Sequence, residues 1–100
     1  MSCEFSSKTR ELWFWQRECL VCGNNRVLEL HHILGRVSSR PLNSILICHN
    51  CHSDGKITNR EVRIKYLMIT KRFLLTTGYN VKAIDKKFIE YAEKMLNFSY

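Results

Sequence analysis

Cys19-x2-Cys22 and Cys48-x2-Cys51 are two thiol pairs separated by 25 residues in a chain of 100. Zinc takes four deprotonated sulfurs at tetrahedral corners, and a C-x2-C turn delivers two of them without strain. The pairs therefore predict one structural zinc held by Cys19, Cys22, Cys48 and Cys51. Closed on all four sides, such a site does no catalysis of its own. The alternative is two independent C-x2-C pairs in a redox or buried role, but in a reducing compartment paired knuckles mean metal more often than disulfides. Cys3 is left over as a free thiol. His31, His32, Asn43 and His52 lie between and just after the knuckles and are not needed by that zinc. Neutral imidazole both accepts protons and ligates divalent metals near neutral pH, so these histidines are the groups available for chemistry.

Short elements must carry them. Ser6 or Ser7 caps a first helix running to about Glu18, which feeds into Cys19. Gly23-Asn24-Asn25 has the composition of the tight turn that a zinc knuckle requires. Val27 to Ile33 and Ser44 to Cys48 are rich in Val, Leu and Ile and read as an antiparallel strand pair, joined by a polar loop from Arg36 to Asn43. A strict period of two sends His31 and His32 to opposite faces unless a bulge or twist intervenes. Thr58-x2-Glu61 offers a capping box for a long helix to about Thr77, closed by Gly78, with Val62, Tyr66, Ile69 and Phe73 as its buried stripe. Asp85 caps a last helix whose stripe is Phe88, Ala92 and Met95. The expected class is α+β, one domain over residues 1–100: an N-terminal helix (1–18), a zinc-knuckle core (19–56) and a helical extension (57–100).

The pattern from Cys19 to about Lys56 resembles the HNH endonuclease family, in the branch with a C-x2-C pair on either side of the motif. The residues that carry it are Leu30-His31-His32-Ile33, Arg36, Asn43 and Cys48-His49-Asn50-Cys51-His52. With His32, Asn43 and His52 as the namesake residues, the interval from Asn43 to His52 is nine positions, as in the family. The resemblance implies a ββα-metal hairpin in which His32 is the general base and His31 and His52 bind one Mg2+ or Mn2+. Asn43 would fasten the loop that orients His32. Arg36 is suited to hold the scissile phosphate; Glu29 reads first as an exposed strand glutamate, with orientation of His31 as the alternative. Some family members carry a further metal-binding histidine four residues past the equivalent of His52; here that position is Lys56, with Asp54 as an alternative oxygen donor and Gly55 cutting the helix short.

Charge agrees with an anionic partner: 16 Lys and Arg against 9 Asp and Glu give a formal +7. Four thiolates and one Zn2+ carry a net −2, which leaves the chain at about +5. Arg36, Arg40, Lys56, Arg60 and Arg63 are the expected nucleic-acid contacts, giving salt-dependent affinity without base readout. The expected function is metal-dependent hydrolysis of DNA phosphodiester bonds, on branched or otherwise structured DNA. The alternative is a non-catalytic zinc-stabilised nucleic-acid-binding module. The expected partners are DNA, a second copy of the chain, or a larger phage replication or packaging machine. The expected compartment is the cytoplasm, because Met1 to Arg10 lacks an apolar targeting segment and the run Leu12 to Trp15 is too short to span a bilayer.

Overall fold

The structure is a computed structural model that describes residues 5–35, 38–53 and 59–100, with the backbone alone at 52 and 53. It is a small mixed fold, as the α+β expectation has it. Helix α1 (Ser7–Trp13) leads to a two-stranded antiparallel sheet, β1 (Leu28–His32) and β2 (Ser44–Cys48). Four helices follow: α2 (His49–Ser53), α3 (Arg60–Thr76), α4 (Val81–Ile84) and α5 (Lys86–Leu96). Among the described residues no helix is long and apolar enough to cross a membrane.

The α1 helix starts as expected, with Ser6 Oγ accepting from the Thr9 amide at 3.2 Å, but it ends at Trp13 rather than near Glu18. Two tight turns stop it, the Phe14 amide bonding to Glu11 O and the Gln16 amide to Trp13 O. Trp13 is the anchor that makes stopping there worthwhile. Its ring stacks on Phe73 at 4.1 Å between centroids, and its Nε1 donates to Ser44 Oγ at 2.7 Å. The chain then folds into the first knuckle, where Gly23 at φ +80° lets its amide reach Cys19 O at 2.9 Å.

Strand β2 has the expected limits, and β1 is trimmed by one residue at each end. Val27 sits at φ +43°, a backbone region that β-branched residues avoid, while its carbonyl accepts from the His49 amide at 2.9 Å. Its side chain is exposed, so little packing opposes replacement. Val27→Gly is expected to stabilise the protein by about 1 kcal/mol, the scale of the left-handed penalty, read as a raised urea midpoint at unchanged slope.

Ser44 is the junction between sheet and helices. Its Oγ donates to Pro41 O at 2.6 Å while accepting from Trp13, and its carbonyl accepts from the buried Thr70 hydroxyl at 2.7 Å. That last bond turns α3. The side chains it buries are Tyr66, Leu67, Thr70 and Leu74, whereas Val62, Ile69 and Phe73 from the expected stripe lie half-buried along its border. The core is completed by Ile33, Leu42, Ile45 and Ile47.

The helix caps also differ in part from expectation. The α3 cap is Asn59, whose Oδ1 accepts from the Glu61 and Val62 amides; Thr58 lies outside the described residues. At the other end Gly78, at φ +81°, donates to Leu75 O and Tyr79 donates to Leu74 O, a Schellman closure at the expected glycine. Asp85 precedes α5 but makes no side-chain cap. Its buried carboxylate instead accepts from the Tyr79 hydroxyl at 2.9 Å and the Leu42 amide at 3.1 Å. The α5 stripe is Phe88, Ala92 and Leu96, at a strict spacing of four, which leaves Met95 exposed.

Candidate metal centre and histidine site

The four cysteines come from three different pieces of backbone: the turn before β1 supplies Cys19 and Cys22, β2 ends on Cys48, and α2 carries Cys51. The hairpin register, from Leu28 opposite Cys48 to His32 opposite Ser44, brings the turn beside the end of β2. All four Sγ atoms lie within 4.8 Å of one another. Cys19 to Cys51 is 3.7 Å and Cys22 to Cys48 is 3.5 Å, too far for disulfides. A tetrahedron with zinc–sulfur bonds of about 2.3 Å has sulfurs about 3.8 Å apart, so the spacing suits a structural ion such as zinc.

The electrostatics of the sulfurs are compatible with such a cation but do not require it: one thiol is lowered, while Cys22 and Cys51 are raised. Burial opposes ionisation of Cys19, but amide donors from Cys22, Cys48 and Val21 outweigh it and bring its thiol down to about 7. At Cys51 burial, followed by the neighbouring sulfurs, pushes the thiol far up. Four thiolates cannot share so small a space without a positive ion among them. Cys3 lies outside the described residues.

His31 and His32 are the last two residues of β1, opposite Ile45 and Ser44. The register is one-to-one, so no bulge brings the two rings together and the alternation of the strand separates them onto opposite faces. Both rings are half-buried, with their Nε2 atoms shielded from solvent. The His32 ring lies flat on Phe5, with centroids 3.8 Å apart and planes 10° apart. Phe5 is a contact that sequence reasoning missed; an apolar residue just before the Ser6 cap was the one available signal.

Asn43 is fully buried, and its side chain spans the loop between the strands. Its Oδ1 accepts from the Leu34 amide at 2.9 Å, and its Nδ2 donates to Gly35 O at 3.0 Å and Ser38 O at 2.9 Å. Its carbonyl adds a bond from the Ile33 amide at 2.9 Å, directly after His32. Asn43→Ala would strand one buried and two partly buried backbone groups and is expected to cost roughly 3 kcal/mol, measured by urea unfolding.

The remaining expected site residues divide as follows. His52 belongs to α2 by its backbone, while its side chain, Arg36, Asp54, Gly55 and Lys56 lie outside the described residues. Glu29 Oε2 stands 3.8 Å from His49 Nδ1. Arg60 is engaged at the end of α5: Nε donates to Leu96 O at 2.6 Å and a terminal nitrogen to Asn97 O at 2.9 Å. Arg40 is exposed, and Arg63 is half-buried. Among the described residues, the four cysteines are the one group of three or more metal-ligating side chains that comes together.

No protein-family model, no curated protein and no solved structure matches the chain.

Proposed function

We propose that this protein is a metal-dependent DNA endonuclease of the HNH type, its hairpin braced by a structural zinc. The observation that carries the reading is Asn43: a fully buried asparagine with three side-chain bonds across the loop, at the place where the family resemblance requires a loop fastener. The supporting arrangement is a strand ending in His31-His32, an antiparallel partner beginning just after Asn43, and a helix that carries His52.

His31 and His52 would hold one Mg2+ or Mn2+, which offsets the negative charge that builds on the phosphodiester. Two imidazoles are a weak set for so hard a cation, so waters and phosphate oxygens would complete its shell. His32 takes the proton from the attacking water. A new P–O bond forms, the bond to the leaving sugar oxygen breaks, and that oxygen acquires a proton from solvent. Phe5 restrains the His32 ring by stacking, and Asn43 fixes the chain direction directly after it. His31 and His32 leave β1 on opposite faces with both Nε2 atoms shielded, so the reading requires the end of the strand to rearrange before both rings meet one phosphate. Arg36 would hold the phosphate, with Arg40, Lys56 and Arg63 contributing field; Arg60 is better assigned to helix closure.

The test is incubation of zinc-loaded protein with supercoiled plasmid and with a four-way junction, with and without Mg2+ or Mn2+, for wild type and His32→Ala. Metal-dependent nicking by wild type alone supports the reading. Equal cleavage by both proteins overturns the role of His32. DNA binding without cleavage leaves the non-catalytic zinc-stabilised module.

A further inference from the structure

A cleft of about 570 Å3 opens between the loop that Asn43 fastens and the start of α5. Among the described residues Arg40, Lys86 and Lys87 line it, against a single carboxylate, that of Asp85. Both oxygens of that carboxylate are occupied from inside the protein, by the Tyr79 hydroxyl and the Leu42 amide. The cleft is therefore cationic. Tyr91, 42% exposed, stands one helical turn beyond Lys87 on the same wall and offers an aromatic face. Ser38 belongs to both regions, lining the cleft while its carbonyl receives Asn43 Nδ2. Asp85 is a second brace, holding the Leu42 amide next to Asn43.

Cations beside one accessible ring match the chemistry of a single nucleic-acid strand, whose phosphates want charge and whose unpaired bases want a flat surface; a duplex hides its base faces. We propose that this cleft binds a single-stranded segment of DNA, with phosphates on Arg40, Lys86 and Lys87 and one base stacked on Tyr91. Its meaning for cleavage rests on the nuclease reading, since it would select DNA with a frayed or branched end beside the hairpin. The binding itself does not depend on that reading.

The experiment is fluorescence anisotropy of a labelled oligothymidine and of a matching duplex, using the full zinc-loaded chain without Mg2+ across a salt series. Lys86→Ala/Lys87→Ala is expected to bind the strand about tenfold more weakly, with the slope of log affinity against log salt reduced by about 1.4, or about 0.7 per lost phosphate contact. Tyr91→Ala is expected to lose roughly 5- to 160-fold, the range of one base stack, and Tyr91→Phe almost nothing. The exposed pair Lys65→Ala/Arg72→Ala on α3 is the charge-matched control. Equal loss from both pairs, unchanged strand binding by Tyr91→Ala, or tighter binding of duplex than of strand overturns the proposal. Strand binding with the expected losses but no plasmid nicking supports the cleft while sinking the nuclease reading. Plasmid nicking without strand binding does the reverse.

Discussion

Under the proposed nuclease activity, replacing His32 by Ala is expected to slow DNA cleavage roughly 10²- to 10⁴-fold, the usual contribution of a general base, while leaving DNA affinity within a few-fold of wild type. The ring is half-buried and stacked on Phe5, so its removal also disturbs packing; an aromatic contact of this kind is worth about 0.5–1.5 kcal/mol. That cost is small beside a domain stability of roughly 5–15 kcal/mol, so the variant should remain folded and keep its zinc. The check is a single-turnover rate measured alongside circular dichroism and metal content. His32→Gln, which retains a polar side chain over Phe5 but accepts no proton near neutral pH, should be nearly as slow. A folded, metal-loaded His32→Ala that cleaves at the wild-type rate would remove His32 from the reaction.

Zinc removal should have the largest effect on the protein as a whole. Structural zinc sites supply apparent binding energies of about 10 kcal/mol or more, comparable with the entire stability of a small domain. Here the sulfurs join the turn before β1 to the end of β2 and the start of α2, reinforcing the Leu20 amide bond to Leu46 O and the His49 amide bond to Val27 O. A strong chelator at neutral pH is therefore expected to release one zinc per chain and abolish the cooperative thermal transition. Cys48→Ala, which removes a buried ligand at the end of β2, should act in the same direction without chelator. Metal analysis and near-ultraviolet circular dichroism report both outcomes. A chelated chain whose melting temperature moves by only a few degrees would show that the cysteines are not the keystone.

Legibility in the sequence followed the range of the forces involved. The β2 limits and the glycine closure at Gly78 depend on residues a few positions apart, and both were readable. The grouping of the four cysteines was readable too, because C-x2-C spacing is itself a statement about geometry. What escaped was set by distant partners. Trp13 ends α1 early because Ser44 and Phe73 hold it, and Thr70 rotates α3 toward Ser44 by a hydroxyl that an apolar stripe does not register. Asp85 had the right type and place for a cap, yet the Leu42 amide and Tyr79 compete for it from across the fold. The short α4, started by Asn80 accepting from the Ala83 amide, has too few residues to show a period. At the site, Asn43 stood out by type and interval, whereas the Phe5 stack on His32 has no signature in the spacing of either residue.

Arg60 is the first residue of α3 and bonds the carbonyls of Leu96 and Asn97, where α5 ends. The beginning of one helix and the finish of another are thus buckled by a single guanidinium, and fraying at either terminus must release the same pair of bonds. Residues 60–100 should behave as one breathing unit, whose amides exchange with solvent water together rather than unzipping from residue 100 inward.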